Sequence, residues 1–153
     1  MRDKEERNMV HAVVVTHGRF GEELIRSAEM IAGEITGVDS VPLLQEDNPA
    51  GFEAKVRRVL GQDEKELLFL ADIYGGTPYN TAASLLKSYD AWIVTGINLG
   101  MILELATTLG DVETAEEMAV NLMETSTSTC RMISRASMTS ASQEDEVGEE
   151  EDL

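Results

Sequence analysis

The chain has 153 residues, 42% of them hydrophobic, and a formal net charge of −17. That length fits one domain with a core large enough to fold alone. The acidic excess argues against nucleic acid as a partner, since such proteins neutralise phosphates with lysine and arginine, and no apolar run approaches the ~18 residues of a membrane span. Cys130 is the only cysteine and His11 and His17 are the only histidines, which leaves no internal disulfide and no zinc-like spacing; no metal or cofactor is expected. The amino terminus, Met1 to Asn8, is charged and lacks the apolar segment of a secretory signal, so a cytoplasmic location is expected.

In chain order, Met9 to Val15 reads as a first strand and Gly21 to Ala32 as a first helix. In that helix Leu24, Ile25, Ala28, Ile31 and Ala32 form the inner face, while Glu22, Glu23, Arg26 and Glu29 take the outer one. Val38 to Leu44 is a second strand. Asn48 followed by Pro49 is a helix start, with a capping side chain and then a residue whose missing N–H is not needed, and this helix should run to about Leu60. Leu67 to Ala71 is a third strand; Thr77 is expected to cap a third helix with Pro78 at its first position, continuing to about Lys87. Ala91 to Thr95 and Met101 to Leu109 make the fourth strand and fourth helix. Ala115, Met118, Ala119, Leu122 and Met123 line the inner stripe of a fifth helix. Thr127 to Ile133, rich in β-branched residues, is expected to add an edge strand. Ser137 to Leu153 has high charge and almost nothing to bury, so the chain divides into a domain over 1–136 and a disordered acidic tail over 137–153.

Four alternations of strand and helix predict an α/β fold, a doubly wound, mainly parallel sheet with helices on both faces. For this size the expected strand order is 2-1-3-4, with the break between strands 1 and 3. His17 follows the first strand and Asp72 the third, so both belong to the carboxyl edge, where such sheets bind ligands. A carboxylate that accepts a hydrogen bond from one imidazole nitrogen fixes the tautomer and leaves the other nitrogen free to take a phosphoryl group. Gly75, Gly76 and Thr77 would supply backbone N–H groups at a helix amino terminus, plus a hydroxyl, for the phosphoryl oxygens. Each piece also has an ordinary reading: a histidine before glycine is turn grammar, Asp72 could simply cap a turn, and Gly-Gly-Thr-Pro is helix-start grammar. His11 reads as a plain strand residue. The methionines and Trp92 read as core or interface filler.

At these residues the chain resembles the enzyme IIA domains of the mannose class of the bacterial phosphoenolpyruvate-dependent sugar phosphotransferase system. The matching pieces are Thr16-His17-Gly18 with Glu23-Leu24 and Ser27 to Met30, then Leu70 to Asn80, then Thr95 to Leu99 with Met101. The resemblance covers roughly Met9 to Ile133. It implies that His17 is the phosphoacceptor, receiving phosphate from the carrier HPr and passing it to a separate IIB protein, and so serving a membrane IIC/IID complex indirectly. It further implies that Asp72 is the hydrogen-bonded partner of His17, that Thr77 and the adjacent backbone contact the phosphoryl group, and that the chain is a homodimer with an antiparallel edge strand near the carboxyl terminus. Two features depart from the family pattern. Gly100 stands where proline is common, which predicts a looser loop beside the site, and the acidic tail has no counterpart.

A second reading makes the phosphorylated protein a regulator whose output is binding to another protein rather than sugar transport. A third is the relative serving a dihydroxyacetone kinase, which favours serine where this chain has Gly18. A response-regulator receiver would need paired acidic residues after strand 1, where Thr16 and His17 stand. A P-loop kinase would need a Gly-Lys-Ser/Thr motif, which the chain lacks.

Overall fold

The computed structural model describes residues 10–139. Its elements are β1 (His11–His17), α1 (Phe20–Ala32), β2 (Val38–Leu43), α2 (Pro49–Val59), β3 (Leu67–Ala71), α3 (Gly76–Leu85), β4 (Ala91–Thr95), α4 (Leu99–Thr108) and α5 (Ala115–Thr129). The strands form one parallel sheet in the order β2-β1-β3-β4, the order expected from the sequence.

Burial on both faces explains why the two central strands, β1 and β3, are apolar runs rather than alternating sequences. Along β1 and β3 the side chains still sort by parity. Ala12, Val14, Leu68 and Leu70 pack on one face with Ala28 of α1, Ile102 and Leu105 of α4, and Met118 and Leu122 of α5. Val13, Val15, Leu67, Phe69 and Ala71 pack on the other with Phe52 and Val56 of α2 and Ala82 and Leu85 of α3. Fully burying such a side chain is worth about 1.5–3 kcal/mol, so the two layers hold the sheet from both sides.

Three helices are capped by side chains. Asn48 accepts from the Gly51 N–H at 2.7 Å, with Pro49 opening α2 as expected. Asn98 accepts from the Met101 N–H at 3.0 Å, which starts α4 at Leu99, two residues earlier than expected. Thr114 accepts from the Glu117 N–H at 3.1 Å and starts α5.

Five expectations need correction. The strand β1 runs on to His17 because Thr16 and His17 keep their pairing with Pro42 and Leu43 of β2; Met9 lies outside the described residues. Thr77 does not cap α3, which begins at Gly76 behind Gly75 with no side-chain cap, so Pro78 falls later in the first turn. The edge strand over 127–133 is not formed. Ser126, Thr127, Ser128 and Thr129 donate their hydroxyls to carbonyls three residues back at 2.6–3.1 Å, which keeps this β-branched run helical, and residues 130–134 have no regular structure. Gly100 lies not in a loop but in the first turn of α4, and a Cβ on it would come within 2.2 Å of Thr129 Cγ2. The close approach of α5 to α4 explains the glycine. The tail expected over 137–153 is not disordered at its start: residues 137–139 belong to a helical turn over 135–139, fixed by the N–H to hydroxyl hydrogen bonds that Ser134 and Ser137 exchange at 2.9 and 3.1 Å, and the rest, from residue 140 onward, lies outside the described residues.

Candidate active site

The site forms where β1 and β3 end side by side. Val15 is level with Ala71 in the parallel register, so Asp72, one residue past β3, comes up beside the end of β1. One carboxylate oxygen, Oδ2, accepts both the backbone N–H and the ring Nδ1–H of His17, each at 2.8 Å. The other, Oδ1, accepts the Ile73 N–H at 2.9 Å. The carboxylate is 11% exposed and the imidazole 48%. A carboxylate is acceptor-only, so the contact puts a ring proton on Nδ1, and in the neutral imidazole the Nε2 lone pair is then free.

The amino terminus of α3 lies against that second nitrogen. A Cβ built on Gly76 would sit 3.0 Å from His17 Cε1 and 3.3 Å from Nε2, and the residue has φ +80°. A side chain is therefore disfavoured twice there, by the backbone conformation and by the imidazole. Gly75, at φ +86°, makes the turn that aims the helix. The first-turn N–H groups of a helix without a side-chain cap are available to an anion, and the helix dipole favours negative charge at that end.

Thr16, almost fully buried, holds the loop on the other side of the imidazole. Its hydroxyl donates to the Gly18 carbonyl at 3.2 Å and accepts the Gly21 N–H at 3.0 Å, while the Gly18 N–H donates to Leu43 O at 2.7 Å. The structure thus brings His17, Asp72 and Gly76 together, with Gly75 as the turn between them. Thr77 lies on the wall of a shallow cleft of about 320 Å³ between α2 and α3, facing Pro49 and Asn80. The role of Thr16 was missed in the sequence; a threonine directly before the histidine, five residues ahead of a glycine that opens a helix, was the available signal.

His11 proves more than a plain strand residue. It stands at the opposite end of β1 with Nδ1 2.7 Å from Glu64 Oε1 and Nε2 2.6 Å from Asp39 Oδ2. A carboxylate at each nitrogen favours the protonated ring, in which both nitrogens donate. Burial works against that charge, but the two hydrogen bonds and the negative charge of Asp39 and Glu64 outweigh it and hold the pKa above 6.5. Nothing in the local sequence of β1 announces this, because the partners are 28 and 53 residues away.

A parallel sheet with a histidine–carboxylate pair at its carboxyl edge and a helix amino terminus beside the second ring nitrogen has the chemistry to hold an anionic group next to an imidazole. Residues 11–123 match the family model described as the phosphotransferase system fructose IIA component, and the chain belongs to this family of phosphocarriers, which in sugar uptake accept phosphate from HPr and pass it to IIB. The fructose-specific EIIA component of Bacillus subtilis is 35% identical over 99 residues, covering 63% of this chain and 68% of that protein. The mannose-specific EIIAB component of Escherichia coli K12 is 29% identical over 121 residues, 76% of this chain but only 38% of that longer protein. Among solved structures, the mannose/sorbose-specific IIA subunit of Enterococcus faecalis superposes with a TM-score of 0.77 at 33% identity, covering 82% of this chain and 96% of that one. No helix among the described residues is long and apolar enough to cross a membrane.

Proposed function

We propose that His17 Nε2 is the atom that carries the phosphoryl group. The observation behind this reading is the 2.8 Å contact from His17 Nδ1–H to Asp72 Oδ2, which leaves Nε2 unprotonated, half exposed and against the first turn of α3. In the proposed step the Nε2 lone pair forms the new N–P bond while the bond from phosphorus to the donor histidine breaks, and its electron pair returns to the donor ring. Asp72 keeps the tautomer and offsets the positive charge that grows on the imidazole. Gly75 and Gly76 let the backbone approach the phosphoryl oxygens, and Thr77 lends its N–H from the same turn. Positioning and charge stabilisation account for most of the catalysis in such a transfer.

In this reading the protein is a protein-phosphohistidine–sugar phosphotransferase IIA component, works in the cytoplasm, and feeds a IIB subunit that serves a IIC/IID membrane complex. It acts as a homodimer. In support, an apolar groove of about 630 Å³ lies between β4 and α5, where Trp92, Val120 and Met123 are each about half exposed beside the edge strand of the sheet. Light scattering at micromolar concentration should report two chains, and Trp92→Glu should halve that mass; a monomeric wild type would refute the dimer.

The test of the chemistry is incubation with phosphoenolpyruvate, enzyme I and HPr. The expected result is a mass gain of one phosphoryl group, acid-labile and alkali-stable, absent from folded His17→Ala and retained in His11→Ala. Phosphate on His17→Ala would overturn the assignment.

A further inference from the structure

The segments that follow β1 and β3 at the carboxyl edge of the sheet expose apolar side chains. Ile73 is 55% exposed, Tyr74 80%, and Phe20, which opens α1, 47%. Apolar surface left in water forgoes about 25 cal/mol for each Å² that burial would stabilise, so exposed apolar side chains in the segments that carry the imidazole and its carboxylate point to a surface that is covered in use. Ile73 and His17 both reach the same side of Gly76: a Cβ there would lie 3.9 Å from Ile73 Cδ1 and 3.0 Å from His17 Cε1. Tyr74 is exposed yet held. Its ring centroid is 4.9 Å from that of Tyr79, tilted by 49°, and Tyr79 packs on the buried layer that contains Phe52 and Ala82. An aromatic ring fixed before contact loses little entropy on binding, which is why tyrosine is favoured at the energetic centres of interfaces.

We propose that Ile73 and Tyr74 form the anchor on which the phosphohistidine-bearing donor protein docks. The inference rests on His17 being the phosphoacceptor. Transfer between two imidazoles requires the donor ring to come in line with Nε2 and requires water to be kept from the phosphorus. A half-exposed imidazole cannot exclude water alone, so the donor must bring the cover, and the surface it meets first is the apolar one beside the ring. Ile73 and Tyr74 also share a four-residue segment with Asp72 and Gly75, which makes the docking surface continuous with the groups that orient the imidazole. The cation of the neighbouring turn, Arg19, pairs with Glu22 at 3.0 Å on the surface.

Two phosphoryl donors of different size separate docking from chemistry. Phospho-HPr has to dock; phosphoramidate, a small donor that transfers its phosphoryl group to imidazole and releases ammonia, does not. Tyr74→Ala and Ile73→Ser should raise KM for phospho-HPr at least tenfold with a smaller change in kcat. The rate with phosphoramidate should stay within twofold of wild type, and Tyr74→Phe should keep the wild-type KM. An unchanged KM for phospho-HPr in both variants, or an equal loss with both donors, would overturn the docking role. The underlying assignment is tested separately, because His17→Ala should fail with both donors; if it accepts phosphate, the phosphoacceptor reading falls first.

Discussion

Both oxygens of Asp72 are committed as acceptors, Oδ2 to two donors of His17 and Oδ1 to the Ile73 N–H. An amide of the same shape cannot satisfy that arrangement, since either orientation turns an NH₂ group toward an N–H. Asp72→Asn should therefore cost about 1 kcal/mol of stability and slow phosphotransfer by about two orders of magnitude or more, because the ring loses both its tautomer control and its counter-charge. Chemical denaturation and single-turnover transfer measure the two effects. The same imidazole tautomer by NMR in wild type and variant would count against the role. At the other end of β1, His11 lends itself to a pH experiment. Its folded pKa is raised above 6.5, so its contribution to stability is full below pH 6.5 and fades as the pH rises through the folded value. The groups that face it are Asp39 of β2 and Glu64 ahead of β3. Urea unfolding should show the widest gap between wild type and His11→Gln at about pH 6 and a narrower one at pH 8; a gap that is constant or grows with pH would refute the bridging imidazolium.

Helix α1 shows how an element can be set by its neighbours against its own propensity. Gly21 is buried in the first turn of the helix, where alanine has the higher helix propensity. A Cβ on it would meet Val14 Cγ1 at 2.7 Å, Ser40 Oγ at 3.0 Å and Thr16 Cγ2 at 3.1 Å. Overpacking of this kind costs about 1–3 kcal/mol and falls on buried strand residues that cannot move aside, so Gly21→Ala should be destabilising, with a lower denaturation midpoint and an unchanged m-value. The same mutation should weaken phosphotransfer, because Thr16 holds both Gly21 and the loop after His17. Helix α5 gives the converse case. Its serine and threonine run looks like strand sequence, yet the hydroxyls of Ser126, Thr127, Ser128 and Thr129 find carbonyls one turn back, and Thr129 packs on Gly100.

Across the whole molecule, parallel strand order is what makes the site. His17 and Asp72 are 55 residues apart, and only the adjacency of β1 and β3 brings them to 2.8 Å. The carboxyl end of the chain contributes differently. Removing residues 137–153 should leave melting temperature and phosphotransfer unchanged, since that stretch is charged and poor in groups to bury. Removing everything from Thr127 takes away the last turn of α5, its contact with Gly100 and part of the groove wall beside β4, and should lower the melting temperature by about 2–4 °C or more. Thermal melts of the two truncations decide it; a large loss from the shorter deletion would move the domain boundary.

The sequence by itself determined the alternation of strands and helices, the sheet order and the nearness of His17 to Asp72. These follow from apolar runs, glycine turns and the handedness of crossovers, all written locally along the chain. It also determined Asn48 as a cap, because a cap acts within three residues of itself. Its errors came where a local signal competed with distant packing. Thr77 looked like a cap, but the positive-φ turn at Gly75 starts the helix one residue earlier, at Gly76, with no side-chain cap. The run from Thr127 looked like a strand, and hydroxyl back-bonding together with the surface of α4 kept its first residues helical. Gly100 looked like loop loosening and is a packing requirement. Only the tertiary structure could supply the two carboxylates on His11, the placing of Tyr74 on Tyr79 and the level at which Asp72 meets His17. Each depends on which residues of separate strands and helices come to lie side by side, and no local pattern encodes that.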